Sequence, residues 1–309
     1  MLDYHLHLWP HSERETPHSL EQIAAYCEKA QAAGVEELAL TEHLFRFRQA
    51  DALLGGFWND DSVSPGLARS MEDYWDFHAT TDLDTYVTLA AEAQAAGLPV
   101  VIGLEVDFYQ GRMDDVAALL SGYPFDVLLG SVHWLGAWRF DDLDDPVSMG
   151  EWSAREVDAC WETYTAALEE LAASGTCDVL AHPDLIKVAG YRPDSTVEWW
   201  DRMAEAAAKA GMAAEVSSAG WRKPAAEQYP ALGLLSRFAA AGVPVTTASD
   251  AHRLEHVADH ADGLRDVLAS AGVDALQGYT ARVPRPVAIG VPPTVSPGRS
   301  VPPDESSVA

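Results

Sequence analysis

The sequence predicts one α/β barrel of seven β–α units, and three observations point to it. Short runs of leucine and β-branched residues alternate along the 309 residues with alanine-rich amphipathic stretches, the order of parallel strands joined by helical crossovers. Glycine closes the helical stretches at Gly34, Gly97, Gly175, Gly211 and Gly242, where a left-handed residue ends a helix without steric strain. Six of the seven strand ends carry a histidine or a carboxylate, which gathers the chemistry-bearing side chains on the rim where barrel enzymes keep their active sites.

The first strand spans about residues 2–7. Its alternation puts His5 and His7 on one side and Leu6 and Leu8 on the other. A polar loop follows, and Ser19 caps a helix reaching about residue 33. The second strand, 37–41, runs into Glu42-His43. Residues 44–82 read as an irregular stretch, with Gly55-Gly56, Pro65 and the aromatics Tyr74, Trp75 and Phe77; a segment of that length in a compact domain is functional or mobile. A helix over 84–96 leads to the third strand, 100–105, with Asp107 two residues beyond Glu105. A short helix over 113–121 precedes the fourth strand, 125–133, which ends at His133. A second polar loop, 136–152, carries Asp141, Asp142, Asp144 and Asp145. Then come a helix over 153–173 and a strand over 178–181 ending in His182-Pro183-Asp184. A helix over 195–210 and a strand over 213–216 follow, then a helix over 229–241 and a strand over 244–247 that delivers Asp250 and His252. The last helix covers 257–271. The barrel domain is placed at 1–289, and 290–309, rich in proline and serine, reads as a disordered tail.

Composition narrows the function. Hydrophobic residues make up 48%, enough for a sizeable core, yet no run of 18 apolar residues exists to span a membrane. The chain opens directly on a strand, with no basic leader and apolar region of a secretory signal. Cys27, Cys160 and Cys177 are too few and too scattered for a disulfide framework; they read as buried thiols of a cytoplasmic protein. The formal charge of −28 argues against nucleic acid, which selects a basic footprint. A phosphorylated small molecule would need that field inverted locally, and bound divalent cations do so.

Spacing sharpens the case for metal. Pairs two residues apart at a strand end (His5/His7, Glu105/Asp107, His182/Asp184, Asp250/His252) aim both side chains into one mouth. Six of the 11 histidines fall at these ends: His5, His7, His43, His133, His182 and His252. With Glu105 and Asp250 they exceed the needs of one four-coordinate zinc and suit two or three ions sharing a bridging carboxylate. Nitrogen and oxygen donors without a usable thiolate suit Zn²⁺, Mn²⁺ or Fe²⁺ alike. Asp107 and Asp3 read as acceptors behind ligating imidazoles or as structural groups, and Asp184 as a turn cap or a ligand. His18, His78, His256 and His260 read as solvated. Arg222, just past strand six, is the candidate phosphate clamp because its planar fork matches phosphate; Lys223 and Arg253 are further candidates.

In order along the chain, His5-x-His7, Thr41-Glu42-His43, Gly103-Leu104-Glu105, Gly130-Ser131-Val132-His133, His182-Pro183-Asp184 and Ser249-Asp250-Ala251-His252 resemble the motif series of the PHP (polymerase and histidinol phosphatase) superfamily. The phrases at 123–133, 219–225 and Tyr229-Pro230 are similar to those of its free-standing histidinol-phosphate phosphatase branch, and the resemblance covers residues 1 to about 255. It implies a distorted seven-stranded (β/α)7 barrel holding three metals. His5, His7, Glu105 and Asp250 would hold the first, Glu105 would bridge to a second on His133 and His182, and His43 and His252 would hold a third. One more ligand for the third comes from the loop after His7, where Glu13 occupies the family's usual spacing and His11 resembles its Pro-His; His11 is favoured. Glu42 stands where the family more usually has aspartate. The resemblance further implies hydrolysis of histidinol phosphate, a step of histidine biosynthesis, by a metal-bridging hydroxide that attacks phosphorus, with His5, His7, Glu105, His133 and Asp250 acting through it. Another small phosphate ester or a nucleotide is the alternative substrate. On this reading the stretches 44–82 and 136–152 form a lid that binds the cationic amino-alcohol. An amidohydrolase-type barrel also begins with His-x-His but places a bridging lysine at a strand end, and neither Lys187 nor Lys209 sits at one.

Overall fold

The computed structural model describes residues 1–14, 19–60 and 62–290. Seven parallel strands, β1 (Leu2–Leu6), β2 (Glu37–Leu40), β3 (Val100–Asp107), β4 (Val127–Ser131), β5 (Val179–Leu180), β6 (Ala213–Ser217) and β7 (Val245–Ala248), pair in sequence order. The ends of the sheet meet. The Asp250 N–H donates to the His5 carbonyl at 2.8 Å and the His7 N–H to the Ala251 carbonyl at 2.7 Å, so the sheet is a nearly closed (β/α)7 barrel. Strands buried on both faces explain their near-continuous apolar sequences.

Ten helices among the described residues surround it: α1 (Leu20–Ala32), α2 (Arg48–Leu54), α3 (Pro65–His78), α4 (Leu83–Ala95), α5 (Met113–Leu120), α6 (Pro146–Ala154), α7 (Val157–Ser174), α8 (Val197–Ala210), α9 (Leu232–Ala240) and α10 (Ala261–Ser270). All five glycines read as helix stops have a positive φ, between 66° and 81°. The Ser19 hydroxyl caps α1 by accepting from the Gln22 N–H at 3.2 Å.

Several expectations need correction. Residues 44–82 are not irregular: α2 and α3 lie there. In α3, Ser64 caps and Pro65 occupies the first turn, while Leu67, Met71, Trp75 and His78 recur at helical spacing on the buried face. The 136–152 loop contains most of α6, which Asp145 caps and which takes Ser153 from the helix expected after it. Tyr229 and Pro230 precede α9 in an extended segment paired with Ser217.

The larger omission is a hairpin after α10, β8 (Ala275–Thr280) with β9 (Val283–Ala288). It covers the N-terminal end of the barrel. The Tyr279 N–H donates to Tyr4 Oη at 3.1 Å, Arg282 pairs with Asp178 at 2.9 Å, and Arg285 pairs with Glu37. Pro284 and Pro286 obscured β9, and an edge strand tolerates both because its outer N–H groups need no partner. The tail expected over 290–309 lies, from 291 on, outside the described residues.

Candidate metal centre

Glu105 is the hub. It stands buried near the C-terminal end of β3, with its two oxygens divided among five imidazoles. Oε2 lies 2.6 Å from His43 Nδ1, 3.2 Å from His5 Nε2 and 3.6 Å from His7 Nε2. Oε1 lies 3.0 Å from His182 Nε2 and 3.3 Å from His133 Nε2. Asp250 Oδ1 faces the same group, 3.5 Å from His7 Nε2 and 3.9 Å from His5 Nε2. His252 Nε2 is 3.4 Å from His43 Nε2. The eight ligand-type residues of the strand ends thus meet in one place, brought there because parallel strands share a rim. His182 and Asp250 carry positive φ values of 27° and 50°, a strained backbone for residues with a Cβ, as occurs where side-chain direction matters more than local comfort.

Further carboxylates stand behind these side chains, and two of them, Asp107 and Glu215, orient imidazoles. Asp107 Oδ1 is 2.6 Å from His133 Nδ1, as its spacing suggested. Asp3 is structural, accepting from the Ser249 N–H and hydroxyl and from the Ala258 N–H. Asp184 is also structural: it accepts from the Ala231 N–H and pairs with Lys187, whose ammonium is thereby occupied. Glu42 accepts from the Leu8 and Trp9 N–H groups, tying the loop after β1 to β2. The residue that sequence reasoning missed is Glu215, fully buried in β6, with Oε2 2.7 Å from His5 Nδ1. The signal was present: a lone carboxylate inside an otherwise apolar central strand needs a partner.

The electrostatics suit a cation. Burial alone would raise Glu105, but His5, His43 and His133 outweigh it and hold the carboxyl well below its ordinary value. Burial holds His43 well below the usual imidazole range even beside Glu105, and burial with the neighbouring His7 does the same for His252, so both keep the neutral form that binds metals. Burial also lowers His5, but Glu105, Glu215 and Asp250 overcome it and raise this imidazole. His5 Nε2, both nitrogens of His7, His43 Nδ1 and Glu105 Oε2 are buried, and although they crowd together none meets a partner in hydrogen-bond geometry. Unpaired buried donors and acceptors at this density are unfavourable unless something else satisfies them, and the mixed imidazole–carboxylate set fits divalent ions. Compatible groups with donor atoms within 4.8 Å of one another are His5–His7–Asp250, His5–Glu105–His182, His7–His43–His252 and His43–Asp107–His133.

The centre opens into a cavity of about 610 Å³. Arg139, Arg222, Lys223 and Arg253 line it, as do Asp141, Asp142 and Asp144. The Arg222 Nη2 donates to the Ser249 carbonyl at 2.7 Å and the Asp250 carbonyl at 3.2 Å, and its Nη1 lies 3.4 Å from Asp259 Oδ2. His11 sits at the mouth, its ring centroid 4.4 Å from that of His252 and 5.0 Å from that of His43. Glu13 is exposed and does not line this cavity. His78 is buried rather than solvated, edge-on to His11, and burial pushes it down to about 3. His256 is half-buried in the cavity wall, and His260 is exposed as expected. His18 lies outside the described residues. The three cysteines are buried free thiols, and no helix among the described residues is long and apolar enough to cross a membrane.

A (β/α)7 barrel with side chains of metal-ligand type gathered at its C-terminal rim is the architecture of a metal-dependent hydrolase. The chain belongs to the PHP domain family, whose model matches residues 5–219. It is 37% identical over 183 residues, 58% of this chain and 69% of the relative, to a Deinococcus radiodurans protein named "Probable histidinol-phosphatase". Among solved structures it resembles a histidinol phosphate phosphatase from Lactococcus lactis subsp. lactis, complexed with zinc, L-histidinol and phosphate. The TM-score is 0.64 at 19% identity, over 92% of this chain and 98% of that one. A barrel from Listeria monocytogenes gives a TM-score of 0.67 at 17% identity, over 85% of this chain and 99% of that one.

Proposed function

We propose that the chain hydrolyses histidinol phosphate, with another small phosphate monoester as the alternative substrate. The observation that carries this reading is Glu105 divided among five imidazoles at a cavity lined by Arg222, Lys223 and Arg253. His5, His7, Glu105 and Asp250 would hold one ion, and Glu105, His133 and His182 a second. His43, His252 and His11 would hold a third; His11 is preferred over Glu13 because its ring already stands against the other two. Zn²⁺, Mn²⁺ and Fe²⁺ all suit these donors. Such ions supply Lewis-acid stabilisation of phosphoryl oxygens and a water that is nucleophilic near neutral pH.

The chain's own residues do the rest. Arg222 is held in place by two carbonyls and offers a planar cation to phosphoryl oxygens, with Lys223 and Arg253 beside it. Asp141, Asp142 and Asp144 also line the cavity, where they would attract the ammonium of an amino-alcohol. A small phosphate ester bearing a positive group therefore matches both kinds of charge.

The test is metal analysis of the purified protein combined with phosphate release from histidinol phosphate, an aryl phosphate, nucleotides and a lactone control. A strong preference for histidinol phosphate is expected. Metal-loaded protein that releases phosphate from none of the esters would overturn the reading.

A further inference from the structure

Tyr229 is 1% exposed, lines the cavity, and has a hydroxyl with no hydrogen-bond partner. Buried hydroxyls without partners also occur at Tyr109, Thr165, Ser218 and Thr246, but none of those residues lines the cavity. Burying an unpaired hydroxyl is unfavourable, so one retained at a reaction cavity calls for a partner from outside the chain.

Everything else about this side chain is fixed. The Tyr229 N–H and carbonyl both pair with Ser217 at the end of β6, at 3.0 and 2.6 Å. Its ring packs edge-on to His182, with centroids 6.3 Å apart, and Lys187 Nζ stands 5.3 Å from the ring centroid while donating to the Gln228 carbonyl at 2.8 Å. Gly220 completes the wall. A Cβ there would fall 2.0 Å from the Glu227 carbonyl oxygen and 3.1 Å from Tyr229 Cε2, so only glycine lets the 219–222 turn lie against this segment. The phenol is thus held before any ligand arrives, the arrangement by which a donor stabilises developing charge without reorganisation.

We propose that the Tyr229 hydroxyl is a catalytic group that donates a hydrogen bond to a non-bridging oxygen of a phosphate bound beside His182. The assignment rests on the phosphomonoesterase reading and adds a neutral donor to the cations that line its cavity. A phenol's ordinary pKa, about 10, leaves it protonated at neutral pH, so it acts as a donor.

Tyr229→Phe in the metal-loaded enzyme tests this, because it removes the oxygen and leaves the packing. The expected results are a loss of about 100-fold in kcat/KM and a parallel weakening of inorganic phosphate binding measured by calorimetry. Melting temperature, metal content and the shape of the pH profile stay as in wild type, since no hydrogen bond within the protein is lost. Wild-type turnover and phosphate affinity in the variant would overturn the proposal, and so would a fall in melting temperature or metal content that accounts for the loss. Phosphate binding is read without turnover. If the wild type hydrolyses no ester but binds phosphate through this hydroxyl, the contact stands and the enzymatic reading falls; if the wild type neither binds phosphate nor turns over, both fall.

Discussion

Replacing Glu215 by glutamine removes a charge behind the metal centre and almost nothing else. Glu215 Oε2 accepts from His5 Nδ1 at 2.7 Å with both side chains fully buried, which leaves the Nε2 lone pair directed toward Glu105 and Asp250. The amide keeps an acceptor oxygen, so ring orientation survives while the field that makes His5 a better donor is lost. The loss is partly offset, because the same substitution relieves the cost of burying a carboxylate. Partners behind metal-ligating histidines are worth about 10–100-fold in affinity or activity. That range corresponds to roughly 1.4–2.7 kcal/mol. Glu215→Gln should therefore bind zinc about 10–100-fold more weakly in competition with a chromogenic chelator, with kcat/KM at saturating zinc recovering much of the loss. Zinc affinity within about twofold of wild type would refute the positioning role, since the expected effect starts near tenfold. A lower melting temperature with unchanged zinc affinity would instead make Glu215 a purely structural acceptor.

Three further outcomes follow from the structure. His11→Ala should lower both metal stoichiometry by elemental analysis and phosphatase activity, whereas Glu13→Ala should change neither, because only His11 stands against His43 and His252. Burial alone would raise the Asp145 carboxyl, but hydrogen bonds from Ser70, Val147 and Ser148 and the charge of Arg139 hold it below the usual carboxylate range. Because the folded value is depressed, its stabilisation is present above the unfolded-state pKa and disappears as pH falls through the folded one. Asp145→Ala should cost about 0.5–2 kcal/mol in urea unfolding at pH 7, and the difference from wild type should shrink toward pH 3; a difference that persists in acid would show that the charge contributes nothing.

How much of this was legible in the sequence depended on the kind of signal. Strand ends were legible because a parallel barrel forces them onto one rim, so ordered His-x-His and Asp-x-His pairs could be placed before any coordinates. The glycine stops were legible for a similar reason, since a left-handed helix end selects glycine. What escaped was set by tertiary pairing. The sequence at Glu215 says only that a carboxylate in a buried strand needs a partner; that the partner is His5, 210 residues away, comes from the fold. His78 reads as a polar surface residue at the end of α3, but that helix turns its apolar face inward and takes His78 with it. The β8–β9 hairpin is held to the barrel by Tyr4, Glu37 and Asp178, from near the starts of β1, β2 and β5, so its own proline-rich sequence says little about its pairing.

The same geometry answers the charge problem posed by composition. A net charge of −28 would repel a phosphate ester if it were spread evenly through the site. At the centre, however, the ionised carboxyls of Glu105 and Asp250 are enclosed by imidazoles, and Asp3, Asp107 and Glu215 are each engaged with a hydrogen-bond partner behind them. Arg139, Arg222, Lys223 and Arg253 line the cavity together with the acidic 141–144 segment. A lining that carries both signs favours a ligand carrying both charges over a simple anion. Lowering ionic strength should therefore strengthen binding of histidinol phosphate more than binding of an uncharged-tail phosphate ester, because only the former gains from both sets of charges. Equal salt slopes for the two esters would show that the acidic segment takes no part in recognition.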